Sequence, residues 1–166
     1  YRKDCGIVVP QFFCVSDIEK EQIMSDFRIK TYVLGGVSTN CYLVFREGEK
    51  TAVIIDPADN ADYLKNKCRE FGVKPEAVLL THAHFDHMLA ADDIRKAYGC
   101  KVYVHMDDER MLNDPFLNLS GTMGTEQTGI SADHLLRDGD VLHFLNREWK
   151  VMATPGHTAG SVCYYL

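Results

Sequence analysis

Four side chains that bind metals well lie within six positions, in the order His-x-His-x-Asp-His: His82, His84, Asp86 and His87, just after the apolar run 77–80. Imidazole nitrogens and carboxylate oxygens suit zinc, iron or manganese, and a set without cysteine argues against a structural zinc knuckle. The alternative is a polar helix start, with Asp86 as N-cap and the histidines on the surface. The sequence has only seven histidines, so this clustering favours a metal site.

A third ligand is needed to complete a site with His82 and His84. These two residues are expected at the end of the strand that runs to Thr81, and residues two apart in a strand point the same way, so both can reach one ion. His157 is the best third candidate because it follows a Pro-Gly turn at the end of a strand. Three neutral nitrogens with an open fourth position are typical of a catalytic zinc site, in which the open position holds an acidified water.

Asp86 and His87 cannot also crowd around the first ion. We expect them to begin a second metal site nearby, in which Asp86 would help to orient a hydroxide shared between two metals. No other residue lies in an equally convincing context for completing that second site. The remaining histidines of the later strands and loops are read as ordinary surface or core residues: His105, His134 and His143.

The bulk composition is that of a globular domain, with 46% apolar and 25% charged residues in 166. A formal net charge of −6 without any Lys/Arg cluster argues against nucleic acid as a partner and leaves a small-molecule substrate. No apolar run is long enough to span a membrane, and the first residues lack the layout of a signal peptide. The six scattered cysteines read as reduced core thiols, so we expect a cytoplasmic location.

Short apolar segments separated by turn signals predict a sheet-rich α/β domain. Strands are expected at 29–34, 40–45, 52–55, 77–80, 101–105, 141–145, 149–153 and 162–166, with a turn at 146–148. Helices are expected from Asp59 or Asn60 to Gly72, from His87 to Gly99, and briefly from Asp107 or Asp108. The continuous apolar run 77–80 predicts an interior strand covered by helices on both faces, which places the histidines where open α/β sheets bind ligands.

Two stretches have less definite patterns. Residues 1–28 are interpreted as an N-terminal extension of unknown role, with strand segments around Pro10 and a short helix through Met24. Residues 113–132 combine glycines with Ser, Thr and Asn and show no periodicity. A segment of this kind inside a domain is usually the rim of a site or disordered, and we favour a rim that faces the substrate.

Two motifs resemble the signatures of the metallo-β-lactamase superfamily and, within it, of the glyoxalase II-like (hydroxyacylglutathione hydrolase-like) hydrolases. They are Thr81-His82-Ala83-His84-Phe85-Asp86-His87 and Thr154-Pro155-Gly156-His157-Thr158 with Gly160-Ser161; Asp56-Pro57 matches the family's acidic position after an early strand. The likeness covers residues 29–166, the expected domain. It implies an α/β four-layer αβ/βα sandwich whose second half is incomplete.

The resemblance also implies roles for the residues. His82, His84 and His157 would bind the first metal, and Asp86 and His87 the second. One or two zinc ions are expected, and iron or manganese would also suit. The family's remaining ligands follow the second motif, so a missing C-terminal segment or an oligomeric partner would have to complete the site.

The leading functional hypothesis is a metal-dependent hydrolase in which metal-bound hydroxide attacks an ester or thioester carbonyl. One alternative is a single-iron persulfide dioxygenase of the same fold, and another is a metal-binding module without turnover. An RNA-processing nuclease is a poorer interpretation because the chain is acidic. A β-lactam hydrolase is also poorer because no export signal is visible.

Overall fold

The computed structural model describes residues 13–14, 26–123 and 129–166. The described residues form two α-helices, α1 (Ala61–Phe71) and α2 (Ala91–Tyr98), and two 3₁₀ helices, Phe85–His87 and Met106–Asn113. The strands are β1 (Phe13–Cys14), β2 (Phe27–Leu34), β3 (Thr39–Arg46), β4 (Thr51–Ile55), β5 (Lys74–Leu79), β6 (Lys101–His105), β7 (His134–Leu136), β8 (Val141–Phe144), β9 (Arg147–Ala153) and β10 (Val162–Tyr165).

These strands form two sheets. The six-stranded sheet has the order β2-β3-β4-β5-β6-β7. Strand β3 is antiparallel to both of its neighbours, β2 and β4, and strands β4 to β7 run parallel. The four-stranded sheet has the order β1-β10-β9-β8, and β1 pairs parallel to β10 with Phe13 opposite Tyr164. The N-terminal segment therefore contributes a strand to this sheet, and its wider role stays a prediction.

The layers follow from the alternation of side chains along the central strands. Leu43, Ile54 and Val78 belong to the core cluster under α1 and α2, whereas their neighbours on the opposite face pack into a second cluster with the four-stranded sheet. That second cluster contains Val44, Val53, Leu79, Trp149 and Tyr164. Helices, mixed sheet and second sheet confirm the predicted α/β class, and the described residues form three layers of the predicted sandwich.

The interior strand β5 corrects one detail of the sequence analysis. Its apolar residues are buried on both faces as predicted, but only one face is covered by helices. The other face packs against the second sheet, because Ala77 and Leu79 belong to the cluster around Trp149. A continuous apolar run reports burial on both faces and does not identify the element that covers each face.

Helix α1 matches its sequence signals. The Asn60 side chain accepts a hydrogen bond from the Tyr63 N–H (3.1 Å), and Gly72 ends the helix in the left-handed region at φ 67°. Helix α2 ends before Gly99 as predicted, but it begins at Ala91 and not at His87. The Ala90 N–H donates a hydrogen bond to the Pro57 carbonyl (2.9 Å) and not to a carbonyl one helical turn earlier in the chain. The residues before Ala90 therefore form a 3₁₀ turn at Phe85–His87 instead of α-helix.

Three further differences concern turns and short elements. The hairpin between β8 and β9 turns at Leu145 and Asn146, which both have positive φ, so the predicted turn residues Arg147 and Glu148 belong to β9. The three-residue strand β7 was not predicted. The strand segment and helix expected within residues 1–12 and 15–25 lie outside the described residues. None of the described helices is long and apolar enough to cross a membrane.

Trp149 tests the packing between the two sheets. Its side chain is fully buried, and its Nε1–H donates to the Phe144 carbonyl at 3.0 Å. Trp149→Ala should lower the free energy of unfolding by about 3–5 kcal/mol, measured by urea denaturation, because it leaves a cavity between the sheets. Val33→Ala, at a 62% exposed position, is the control and should change stability by less than about 0.5 kcal/mol. Equal effects of the two substitutions would contradict this account of the core.

Candidate metal centre

The candidate ligands lie at one edge of the six-stranded sheet. Asp56 follows β4 and the His82–His87 stretch follows β5, and the carboxyl ends of these parallel strands meet at the same edge. His157 lies in the loop between β9 and β10 of the other sheet. Two hydrogen bonds hold that sheet here: the Val162 N–H donates to the Thr81 carbonyl (2.9 Å), and the Tyr164 hydroxyl donates to the Leu80 carbonyl (2.8 Å).

His82, His84 and His157 are brought together as predicted for the first metal. One ring nitrogen of each lies within 4.8 Å of the others, and Nε2 of His82 is 3.1 Å from Nδ1 of His84. His82 is buried, His84 is half-buried and His157 is exposed, so the cluster opens to solvent on the side of His157. The prediction that His82 and His84 lie at the end of a strand was wrong. Strand β5 ends at Leu79, and both histidines lie in the loop that follows it.

The chemistry of this donor set fits a divalent metal ion. Burial, reinforced by the imidazoles of His87, His84 and His157, lowers the pKa of His82 to about 2. Burial and the neighbouring His157 also lower the pKa of His84. The neutral imidazole is the form that binds a metal, so these two histidines are held in the binding form at neutral pH. Their crowding is unfavourable for protons and suitable for one shared cation.

Asp86 and His87 lie together beside this cluster. The Thr39 hydroxyl donates to Oδ2 of Asp86, and the same oxygen is 3.4 Å from Nε2 of His87. The rings of His82 and His87 have centroids 4.0 Å apart. Burial lowers the pKa of His87, but the charge and hydrogen bonding of Asp56 outweigh it, so the pKa is raised overall. The pair is adjacent to the first cluster, and its ligation of a second metal stays a prediction.

Asp56 acts on the loop rather than within the three-histidine cluster. Its buried carboxylate accepts hydrogen bonds from the backbone N–H (2.8 Å) and hydroxyl (2.7 Å) of Thr81, and Oδ2 is 2.9 Å from Nδ1 of His87. Thr81 in turn places its hydroxyl 3.1 Å from Nδ1 of His82. Asp56 therefore acts on the orientation of His82 through Thr81 and places its charge beside His87, as groups behind metal ligands commonly do.

Asp108 is the main residue that the sequence analysis missed. It was considered only as a helix start, yet the 3₁₀ helix is capped by His105, whose Nδ1 accepts the Asp107 N–H at 3.3 Å. Asp108 is fully buried and contacts both loops that carry the histidine cluster. Nothing in the sequence distinguishes it from its exposed neighbour Asp107, because the contacts that bury it come from distant residues.

The three histidines interpreted as ordinary surface or core residues do not belong to the cluster of His82, His84 and His157. His105 caps the 3₁₀ helix, His134 stacks on Tyr103 with ring centroids 4.7 Å apart, and His143 is exposed 3.6 Å from Glu148. Their surroundings agree with structural or surface roles.

The described part of the 113–132 segment is hydrogen-bonded to the His82–His87 loop. The Phe85 N–H donates to the Asn118 carbonyl (2.9 Å), and Asn118 and Ser120 are buried. Ile130 of this stretch is also buried, whereas four other apolar side chains are exposed: Phe116, Leu117, Leu119 and Met123. The segment therefore borders the loop of the site, and its contact with a substrate stays a prediction.

Comparisons with known proteins support this fold. The protein is 36% identical over 134 residues to the probable metallo-hydrolase YqgX of Bacillus subtilis, and 32% identical over 126 residues to a hydroxyacylglutathione hydrolase of Salmonella paratyphi B. These alignments cover 80% and 76% of this chain. The crystal structure of the B3 metallo-β-lactamase BLEG-1 superposes with a TM-score of 0.78 and 39% identity over 83% of this chain.

The chain spans only part of the length of these relatives. It covers 63% of YqgX, 43% of the hydroxyacylglutathione hydrolase and 66% of BLEG-1. The profile of the Metallo-beta-lactamase superfamily matches residues 34–166, from the end of β2 through both histidine motifs. With the two facing sheets and the histidine cluster at their edge, this match means that the chain belongs to the metallo-β-lactamase superfamily.

Proposed function

We propose that this protein hydrolyses an ester or thioester carbonyl of a small molecule, with a zinc ion held by His82, His84 and His157. The observation that carries the proposal is the three-histidine cluster itself, whose ligand nitrogens lie within 4.8 Å of one another. Three imidazoles with an exposed side match the composition of a catalytic zinc site, since a structural site would use all positions for protein ligands.

The residues around the cluster support hydrolysis. When bound, zinc supplies a Lewis acid that acidifies water and polarises a carbonyl. Asp86, fixed by the Thr39 hydroxyl, has a carboxylate that can orient the attacking water, and His87 lies beside it as the second candidate ligand for another ion. The Asp56 carboxylate holds His87 and Thr81 in place. Iron or manganese could occupy the same nitrogen and oxygen ligands.

Two observations support a thioester as the substrate. One relative carries the name hydroxyacylglutathione hydrolase, and its substrate is a thioester. In addition, Phe116, Leu117, Leu119 and Met123 expose apolar surface on the segment bound to Phe85, which suits an acyl group. The net charge of −6 supports a small molecule over nucleic acid. A cytoplasmic location, and completion of the site by a further segment or a partner chain, belong to the same proposal.

The ligand histidines give the direct genetic test. His84→Ala and His157→Ala should each reduce kcat/KM for a hydroxyacylglutathione thioester by at least about 100-fold, because loss of a ligand should cost more than the roughly 10–100-fold typical of groups behind the ligands. His143→Ala removes an exposed imidazole on β8 and should leave the rate unchanged. Turnover that survives His82→Ala combined with His84→Ala would sink the proposal.

Metal removal separates the hydrolase from the iron alternative. Chelation should abolish thioester turnover, and added Zn²⁺ should restore it, with one or two zinc ions per chain by elemental analysis. A persulfide dioxygenase would instead contain iron and consume oxygen in the presence of a persulfide. Iron-dependent oxygen consumption without thioester hydrolysis would establish that alternative.

A substrate panel tests the chemical class. The zinc-loaded protein should hydrolyse the thioester with a higher kcat/KM than a matched oxygen ester or a β-lactam. Faster β-lactam hydrolysis would contradict the proposal and match the activity named for BLEG-1. Full metal loading without turnover of any of the three would instead indicate a metal-binding module.

A further inference from the structure

The buried carboxylate of Asp108 joins the two loops that carry the histidine cluster. Asp108 lies on the 3₁₀ helix Met106–Asn113 and is completely inaccessible to solvent. Its Oδ2 accepts hydrogen bonds from the Ala83 N–H (3.1 Å) and the Thr158 hydroxyl (2.7 Å), and its Oδ1 accepts the Gly160 N–H (2.7 Å). Ala83 separates His82 from His84, and Thr158 directly follows His157, so one carboxylate holds both loops.

Three hydrogen-bond donors converge on the two buried oxygens of Asp108, namely two backbone N–H groups and one hydroxyl. A buried polar group is costly unless hydrogen bonds compensate it, so each of these oxygens needs to remain an acceptor. An asparagine of the same shape has only one acceptor oxygen. Whichever way its amide is turned, an NH₂ group faces the N–H of either Ala83 or Gly160.

The loop after β9 is pressed directly against Asp108. A Cβ added at Gly160 would lie 2.7 Å from the Asp108 backbone nitrogen and Cγ, so only glycine allows this approach. Thr158 is fixed further by Ser161, whose Oγ accepts the Thr158 N–H at 3.1 Å and lies 2.9 Å from the Thr158 hydroxyl. The backbone on the C-terminal side of His157 is thus tied to the tip of the His82–His84 loop.

Two other hydrogen bonds join the two loops at their bases. The bonds from Val162 to Thr81 and from Tyr164 to Leu80 lie next to the strand ends and belong to the packing of the two sheets. The hydrogen bonds of Asp108 lie instead at the tips of the two loops, next to the histidines. Loss of Asp108 should therefore leave the sheets packed and change the separation of the histidines.

We infer that Asp108 is a positioning residue that fixes His157 against His82 and His84. The inference deepens the proposed function and rests on it for the metal, but the joining of the loops is a property of the metal-free protein as well. A group of this kind, behind the ligands, typically changes metal affinity by about 10–100-fold.

The test compares Asp108→Asn with Asp133→Asn as a matched control. Asp133 also accepts a backbone N–H, that of Val102 (2.9 Å), but it lies beside Lys101 at the start of β6. In the metal-free protein, Asp108→Asn should speed amide hydrogen exchange at both Ala83 and Gly160, and Asp133→Asn should not. In cobalt titrations, Asp108→Asn should weaken Co²⁺ binding by about 10–100-fold and alter its visible absorption bands, with wild-type behaviour in the control.

Thr158 provides a second pair of variants in case Asp108→Asn does not fold. Thr158→Ser keeps the hydroxyl and should retain wild-type Co²⁺ affinity, whereas Thr158→Val removes the hydrogen bond to Asp108 and should weaken Co²⁺ binding. Unchanged exchange at Ala83 and Gly160, or unchanged Co²⁺ affinity in both Asp108→Asn and Thr158→Val, would overturn the inference. Equal losses in Asp133→Asn would also overturn it, because they would indicate general destabilisation.

Amide hydrogen exchange is measured without metal, so it distinguishes failure of the Asp108 inference from failure of the proposed function. If the wild-type protein bound no Co²⁺, the metal-dependent hydrolase would fail, and faster exchange in Asp108→Asn would still establish the joined loops. If the wild-type protein bound Co²⁺ and hydrolysed the thioester while Asp108→Asn exchanged and bound like wild type, only the role of Asp108 would fail.

Discussion

The crowding of four imidazoles at one sheet edge is the constraint on which the rest of this structure depends. The rings of His84, His87 and His157 each contact the ring of His82, with centroids 4.0 to 4.7 Å apart. Protonated rings this close would repel one another, and burial further disfavours the charge on His82. The cluster of His82, His84 and His157 therefore suits one shared cation better than several protons.

The surrounding protein can be understood as the means of holding these rings together. Two buried carboxylates act on two sides of the motif: Asp56 binds Thr81 and lies against His87, and Asp108 binds Ala83 and the loop of His157. The packing of the two sheets around Trp149 and Tyr164 brings the loop of one sheet to the strand ends of the other. The site therefore depends on long-range contacts, and neither sheet contains it alone.

The sequence predicted the parts of the site that depend on residue type and spacing. Both histidine motifs were identified, and α1 was predicted because Asn60 and Gly72 are strong local signals. The start of α2 was wrong because a tertiary hydrogen bond from Ala90 to Pro57 decides it. Asp108 was missed for the same reason: its partners Ala83 and Gly160 are 25 and 52 residues away in the chain, and no local pattern encodes them.

X-ray absorption at the zinc edge tests the central claim most directly, because it reports the atoms bound to the metal. The zinc-loaded wild-type protein should give a first shell of nitrogen and oxygen at about 2.0–2.1 Å with the outer-shell scattering of imidazole rings. That imidazole scattering should decrease in His157→Ala. A zinc–sulfur shell at about 2.3 Å, or an unchanged spectrum in His157→Ala, would contradict the assignment of His82, His84 and His157 as the metal ligands.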